Sequence, residues 1–130
     1  MGSAVSQSLA GRLILLVEDE YVVAIDLAQS LEQLGAVIVG PAGSVEDALA
    51  LIMAGPPIDA ALLDVNLGSE RVYPVADVLQ ARGVPYVFTT SYGNWIIPTP
   101  HSSAPWCEKP VNIAHLVRIL SSLPTAAKGA

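Results

Sequence analysis

The stretch Ala60-Ala61-Leu62-Leu63-Asp64-Val65-Asn66-Leu67 opens as an apolar run and stops on a carboxylate. A run this short and this apolar reads as a parallel strand covered on both faces, which delivers one polar side chain to the edge of a sheet. Similar runs lie on either side of it. Leu13-Ile14-Leu15-Leu16-Val17 ends on the acidic triplet Glu18-Asp19-Glu20, Ala36 to Val39 runs into Gly40-Pro41, and Pro85 to Thr89 is β-branched and aromatic. A brief fifth strand is expected around Trp106-Cys107.

Helical spacing fills the intervals. Val23, Leu27, Leu31 and Leu34 fall on one face, with acids at the start, where a helix carries partial positive charge, and Gly35 as the stop. Ser44 caps a second helix whose apolar positions are Val45, Ala48, Leu49 and Ile52, ended by Gly55-Pro56-Pro57. A third is expected from about Arg71 to Arg82, with Pro74 in its first turn, and a last one from Asn112 to about Ser122. Asn66-Leu67-Gly68-Ser69 reads as a loop. Between Ser91 and Pro105, Gly93, Pro98, Pro100 and Pro105 leave no usable helical face, so the helix due in that slot should be missing or reduced to a turn. Alternating strands and helices predict an α/β fold, a doubly wound five-stranded parallel sheet with helices on both faces. One domain is expected over residues 12–123, with flexible tails at 1–11 and 124–130.

Composition narrows the function. With 130 residues, 52% of them hydrophobic, the chain can bury a core without staples. A net charge of -6 argues against a nucleic-acid partner, whose affinity comes from clustered basic side chains. The single cysteine, Cys107, makes no internal disulfide and suits a buried strand. Mean hydropathy is positive at +0.53, yet the longest apolar runs are far too short to span a bilayer. No signal peptide is visible, and Met1 to Ser6 matches an acylation signal only loosely, so a cytoplasmic protein without a membrane partner is expected.

In a doubly wound sheet, ligands bind beyond the carboxyl ends of the strands. By that rule Glu18 and Asp19 end strand one, Asp64 strand three, and Thr89 and Thr90 strand four, while Lys109 follows strand five. Three carboxylates brought together repel, so the site raises a pKa or recruits a cation. Two carboxylates, a backbone carbonyl and waters match Mg²⁺. Asp19 and Asp64 are expected as side-chain ligands, the Asn66 carbonyl as a third protein oxygen, and Glu18 as a partner acting through water or from behind the ligands. A carboxylate nucleophile beside Mg²⁺, the Lys109 ammonium and the Thr90 hydroxyl is equipment for accepting a phosphoryl group, with Asp64 becoming an acyl phosphate.

From Arg12 to Ser122 the chain resembles the receiver domains of two-component response regulators. Glu18-Asp19 stands in the acidic-pair slot, Asp64 in the phosphoacceptor slot, Thr90 in the switch-hydroxyl slot, and Lys109-Pro110 matches the family's Lys-Pro pair. The resemblance implies a CheY-like, flavodoxin-like sheet of strand order 2-1-3-4-5, a cis Lys109-Pro110 bond, and Trp106 in the position of an aromatic switch, where Tyr or Phe is more usual. Phe88-Thr89-Thr90-Ser91-Tyr92-Gly93 looks like the signature of the FATGUY subclass, with Thr89 and Ser91 in place of its Ala and Gly. That subclass also lacks an ordinary fourth helix and is paired with histidine kinases of the HWE and related types. A stand-alone receiver is therefore expected, phosphorylated by a sensor histidine kinase or phosphotransfer protein. It would signal by phosphorylation-dependent protein contact or act as a phosphate sink, and would be no enzyme beyond its own phosphorylation and dephosphorylation.

Tyr92, Trp95, Ile96 and Ile97 are a candidate partner surface, because apolar groups in a proline-rich run often mark contacts. The alternative is that they roof the core. His101 and His115 have no second ligand at metal spacing and read as surface or packing residues. Two rival functions remain, a degenerate receiver that binds partners without phosphorylation and a haloacid-dehalogenase-type phosphatase. The latter family places its nucleophile after the first strand with a second Asp two residues on, whereas Asp64 follows the third and Asn66 takes that second position.

Overall fold

The computed structural model describes residues 8–91, 97 and 101–123. In chain order the elements are β1 (Leu13–Val17), α1 (Tyr21–Glu32), β2 (Val37–Ala42), α2 (Val45–Ala54), β3 (Ala60–Asp64), β4 (Asn66–Leu67), β5 (Glu70–Arg71), α3 (Tyr73–Ala81), β6 (Tyr86–Thr90), β7 (Trp106–Glu108) and α4 (Ile113–Ser122). Five strands form one parallel sheet in the order β2-β1-β3-β6-β7, which is 2-1-3-4-5 once the small hairpin is set aside. Among the described residues no helix lies between β6 and β7, only a turn closed by the Ala104 amide on the His101 carbonyl at 3.0 Å.

The apolar strands are two-faced because side chains alternate along a strand. Leu15, Val17, Ala61, Leu63, Tyr86 and Phe88 point into a core under α2 and α3. Ile14, Leu16, Ala60, Leu62, Val87 and Cys107 point into a second core under α1 and α4. The central strands contribute to both, so neither face is left polar. Pro74 sits in the first turn of α3, and the side chains of Ser44 and Asn112 cap α2 and α4.

Three expectations need correction. Residues 1–11 are not simply a tail: Leu9 is fully buried in the second core, and the amides of Leu9 and Gly11 bond the carbonyls of Leu34 and Gly35 at 2.9 and 3.0 Å. Gly35 permits this, since it holds φ +99° and a Cβ there would stand 2.7 Å from the Ala10 Cα. Residues 1–7 and 124–130 lie outside the described residues. Secondly, the loop expected at residues 66–69 is a hairpin, in which Asn66 pairs with Arg71 and Leu67 with Glu70. Gly68 takes φ +63° at the first turn position, a sign that two-residue hairpin turns favour. The third helix starts at Tyr73 because Glu70 and Arg71 belong to that hairpin. Thirdly, β2 extends past Val39 to Ala42, through a cis Gly40-Pro41 bond and a register shift against β1.

At the opposite end of the sheet from Asp64, Arg12 Nη1 donates to the Leu120 carbonyl at 3.0 Å. This ties the start of β1 to the last turn of α4, where a helix favours a cation.

Candidate functional site

Each strand end brings its polar residue to the same edge. Glu18 follows β1 and is 3% exposed, its amide bonded to the Ala42 carbonyl at 2.9 Å. Asp64 closes β3 at 4% exposure, and the Val65 amide bonds the Thr89 carbonyl, so the chain beyond Asp64 is pinned to β6. Thr90 closes β6, also 4% exposed, and its carbonyl accepts the Lys109 amide at 2.9 Å. That bond carries the β6–β7 ladder one residue past β7, to Lys109.

The side chains converge. Lys109 Nζ lies 3.0 Å from Asp64 Oδ2, 3.0 and 3.2 Å from the two oxygens of Glu18, and 3.5 Å from Glu20 Oε1. Asp64 Oδ1 accepts the Asn66 amide at 3.2 Å, so both oxygens of that carboxylate are engaged. Glu18, Asp19 and Asp64 each offer a carboxylate oxygen, all within 4.8 Å of one another. The residues named from the sequence at β1, β3 and β7 thus meet at one place. The hairpin following Asp64 closes one side, with Asp19 Oδ2 3.8 Å from where a Cβ on Gly68 would stand.

Charge crowding leaves its mark. The Glu18 carboxyl is pushed up to about 7, chiefly by burial and further by the neighbouring Asp64, against the bond from Lys109, which pulls it down. Burial alone would lower the Lys109 pKa, but bonds to Asp64 and Glu18 and their charges outweigh it and hold the ammonium well above its usual range. Glu18 Oε2 accepts from Lys109 and from the Glu20 amide, whereas the buried Oε1 finds no well-aligned donor. A buried acid whose Oε1 is ion-paired yet accepts no aligned hydrogen bond, beside two more carboxylates, suits a hard, oxygen-seeking divalent cation.

Other expected residues stand apart. Trp106 is half-buried, opposite Phe88 in register and already packed against the core under α2 and α3. Cys107 is buried, and burial raises its thiol pKa. Of the candidate partner surface, Ile97 packs against that same core as a roof residue, while Tyr92, Trp95 and Ile96 lie outside the described residues. Two contacts escaped the sequence reading. Glu20 reaches Lys109, a role that the acidic triplet hinted at, and His101 is buried against Tyr86 and Asp77, which no local signal announces. Among the described residues no helix is long and apolar enough to cross a membrane.

No protein-family profile and no curated sequence matches the chain, but solved structures do. SdrG from Sphingomonas melonis Fr1 is 38% identical with a TM-score of 0.72, over 87% of this chain and 97% of SdrG. The response regulator TrrA from Thermotoga maritima, solved in complex with Mg(2+)-BeF, shares the fold at 23% identity and a TM-score of 0.71, over 84% of this chain and 98% of its own. The anti-anti-sigma factor PhyR from Bartonella quintana matches at 27% identity and a TM-score of 0.73, over 90% of this chain but 49% of PhyR.

Proposed function

From a chain that belongs to the receiver domains of response regulators, we propose that it accepts a phosphoryl group on Asp64 from a histidine kinase or phosphotransfer protein and signals through the modified state. The observation that carries this reading is the placing of Lys109 Nζ 3.0 Å from Asp64 Oδ2, within an otherwise acidic cluster. An ammonium there neutralises an incoming phosphoryl oxygen, and phosphoryl transfer depends mostly on positioning and charge neutralisation.

Asp19, Asp64 and the Asn66 carbonyl would hold Mg²⁺, with Glu18 acting through water, and the ion would supply further charge neutralisation on the phosphoryl oxygens. A carboxylate oxygen of Asp64 attacks phosphorus, the P–N bond of the donor phosphohistidine breaks, and the imidazole leaves as the neutral ring after taking up a proton. Hydrolysis reverses the modification: water attacks phosphorus, the acyl P–O bond breaks, and inorganic phosphate departs. Lys109 and the Thr90 hydroxyl grasp the phosphoryl oxygens between these events, biasing a two-state element. Phe88-Thr89-Thr90-Ser91 supports a FATGUY-like receiver and hence a kinase of the HWE or related type. The likeness to SdrG, also solved in a BeF3-activated conformation, supports a modified state distinct from the unmodified one.

Acetyl phosphate with Mg²⁺ should add one phosphoryl group by intact mass. Chelation and Asp64→Asn should each abolish it. An unmodified protein would mean an inert binding module, and repeated turnover of phosphate esters would mean a phosphatase.

A further inference from the structure

Edge strand β7 is the last support before Lys109, yet it has three residues and, among the described residues, pairs only with β6. Trp106 and Cys107 anchor β7 to the two cores, but so short a ladder is held by few hydrogen bonds. The approach to β7 supplies a second anchor. His101 is 2% exposed, with Nδ1 2.6 Å from the Tyr86 hydroxyl and Nε2 2.7 Å from Asp77 Oδ1. A carboxylate only accepts, so Nε2 carries a proton, and in the neutral ring Nδ1 accepts from the tyrosine. The ring stacks on Tyr73 at 6.1 Å and 7°, and meets Tyr86 and Phe88 edge-on at 5.6 and 6.1 Å.

One buried ring therefore ties α3, through Asp77, to the start of β6, through Tyr86, and to the segment entering β7. From His101 the chain turns at Ala104 and begins pairing where the Phe88 amide bonds the Pro105 carbonyl at 3.0 Å. Pairing ends at the Lys109 amide on Thr90. Tyr86 opens β6 and Thr90 closes it, about 13 Å apart along the backbone at strand rise, so the ring's partner on β6 stands at the other end of the strand from the carboxylate pocket. We infer that Asp77, His101 and Tyr86 form a clasp that fixes the register of β7 on β6 and so positions Lys109 against Asp64. They are positioning residues, and none touches the reacting atoms. The consequence for rate rests on Asp64 being the phosphoacceptor, whereas the register is tested without it.

The variants are His101→Ala, Tyr86→Phe and Asp77→Ala; the last two each delete one partner of the ring, Asp77 from an exposed position, where the first empties a buried one. By native-state hydrogen exchange, the Phe88 and Lys109 amides should exchange about tenfold faster in each, the loss of roughly one hydrogen bond, while β1 amides are unchanged. With acetyl phosphate and Mg²⁺, labelling of Asp64 should slow in each variant, and His101→Ala should add nothing in a Lys109→Ala background. Unaltered exchange at Phe88 and Lys109, equal acceleration in β1, or a rate effect that persists without Lys109 each overturns the clasp. A wild-type protein that takes no phosphoryl group defeats the proposed function, and the exchange data then decide the clasp alone.

Discussion

Glu18 shows at the scale of one residue how the fold stores unfavourable charge. Its carboxyl titrates near 7 in the folded, metal-free protein against 4.5 for an unconstrained glutamate. A folded state that holds its proton more tightly than the unfolded chain is stabilised in acid. That contribution is full below pH 4.5 and is lost as pH rises through 7. Thermal melts in chelator should therefore fall across that window, and Glu18→Gln, which has no charge to bury, should flatten the slope. Added Mg²⁺ should flatten it too, by giving the ionised carboxylate a counter-charge.

The hairpin and the N-terminal turn carry the argument at the scale of elements. Glu70 Oε2 in β5 accepts the Val45 amide at 3.0 Å, while Ser44 Oγ accepts that of Asp47 at 3.1 Å. Two orphan donors of α2 are thus satisfied, one of them from the segment that follows Asp64. Glu70→Ala should cost about 1 kcal/mol, the worth of a lost cap, read from urea denaturation. The turn at Leu9 should matter more. Leu9→Ala empties a fully buried position and should cost about 2–4 kcal/mol by the same measurement.

These same elements mark where sequence reading ran out. The five parallel strands were legible because each is an apolar run bounded by turn residues, and the strand-end rule then left few candidates for the site. Paired segments of two residues, Asn66–Leu67 and Glu70–Arg71, are too short to display any periodicity. Leu9 is a lone apolar residue in a polar stretch, and only Gly35, distant in sequence, makes room for its turn. Gly40-Pro41 reads as a strand breaker, though β1 accommodates both by shifting register. His101 takes its meaning from Tyr86 and Asp77, partners that only the folded chain supplies.

At the scale of the whole molecule, a chain of net charge -6 gathers Glu18, Asp19 and Asp64 at one edge, with Lys109 among them. A divalent cation that binds only the folded state should raise the melting temperature, by about 2.7 kcal/mol of stability at a hundred times its dissociation constant. Calorimetry with and without Mg²⁺ checks this, and Asp64→Asn should remove most of the shift. Higher ionic strength should weaken the effect, because exposed Asp19 is readily screened.

The bond from Arg12 to the Leu120 carbonyl brings the beginning and the end of the described chain together beneath the sheet, with the length of β1 between them and the acidic edge. A fluorophore or an affinity handle coupled through Ser122→Cys, an exposed position beside Leu120, would therefore face away from the pocket. Immobilised in that way, the protein presents its acidic edge outward to whatever flows past.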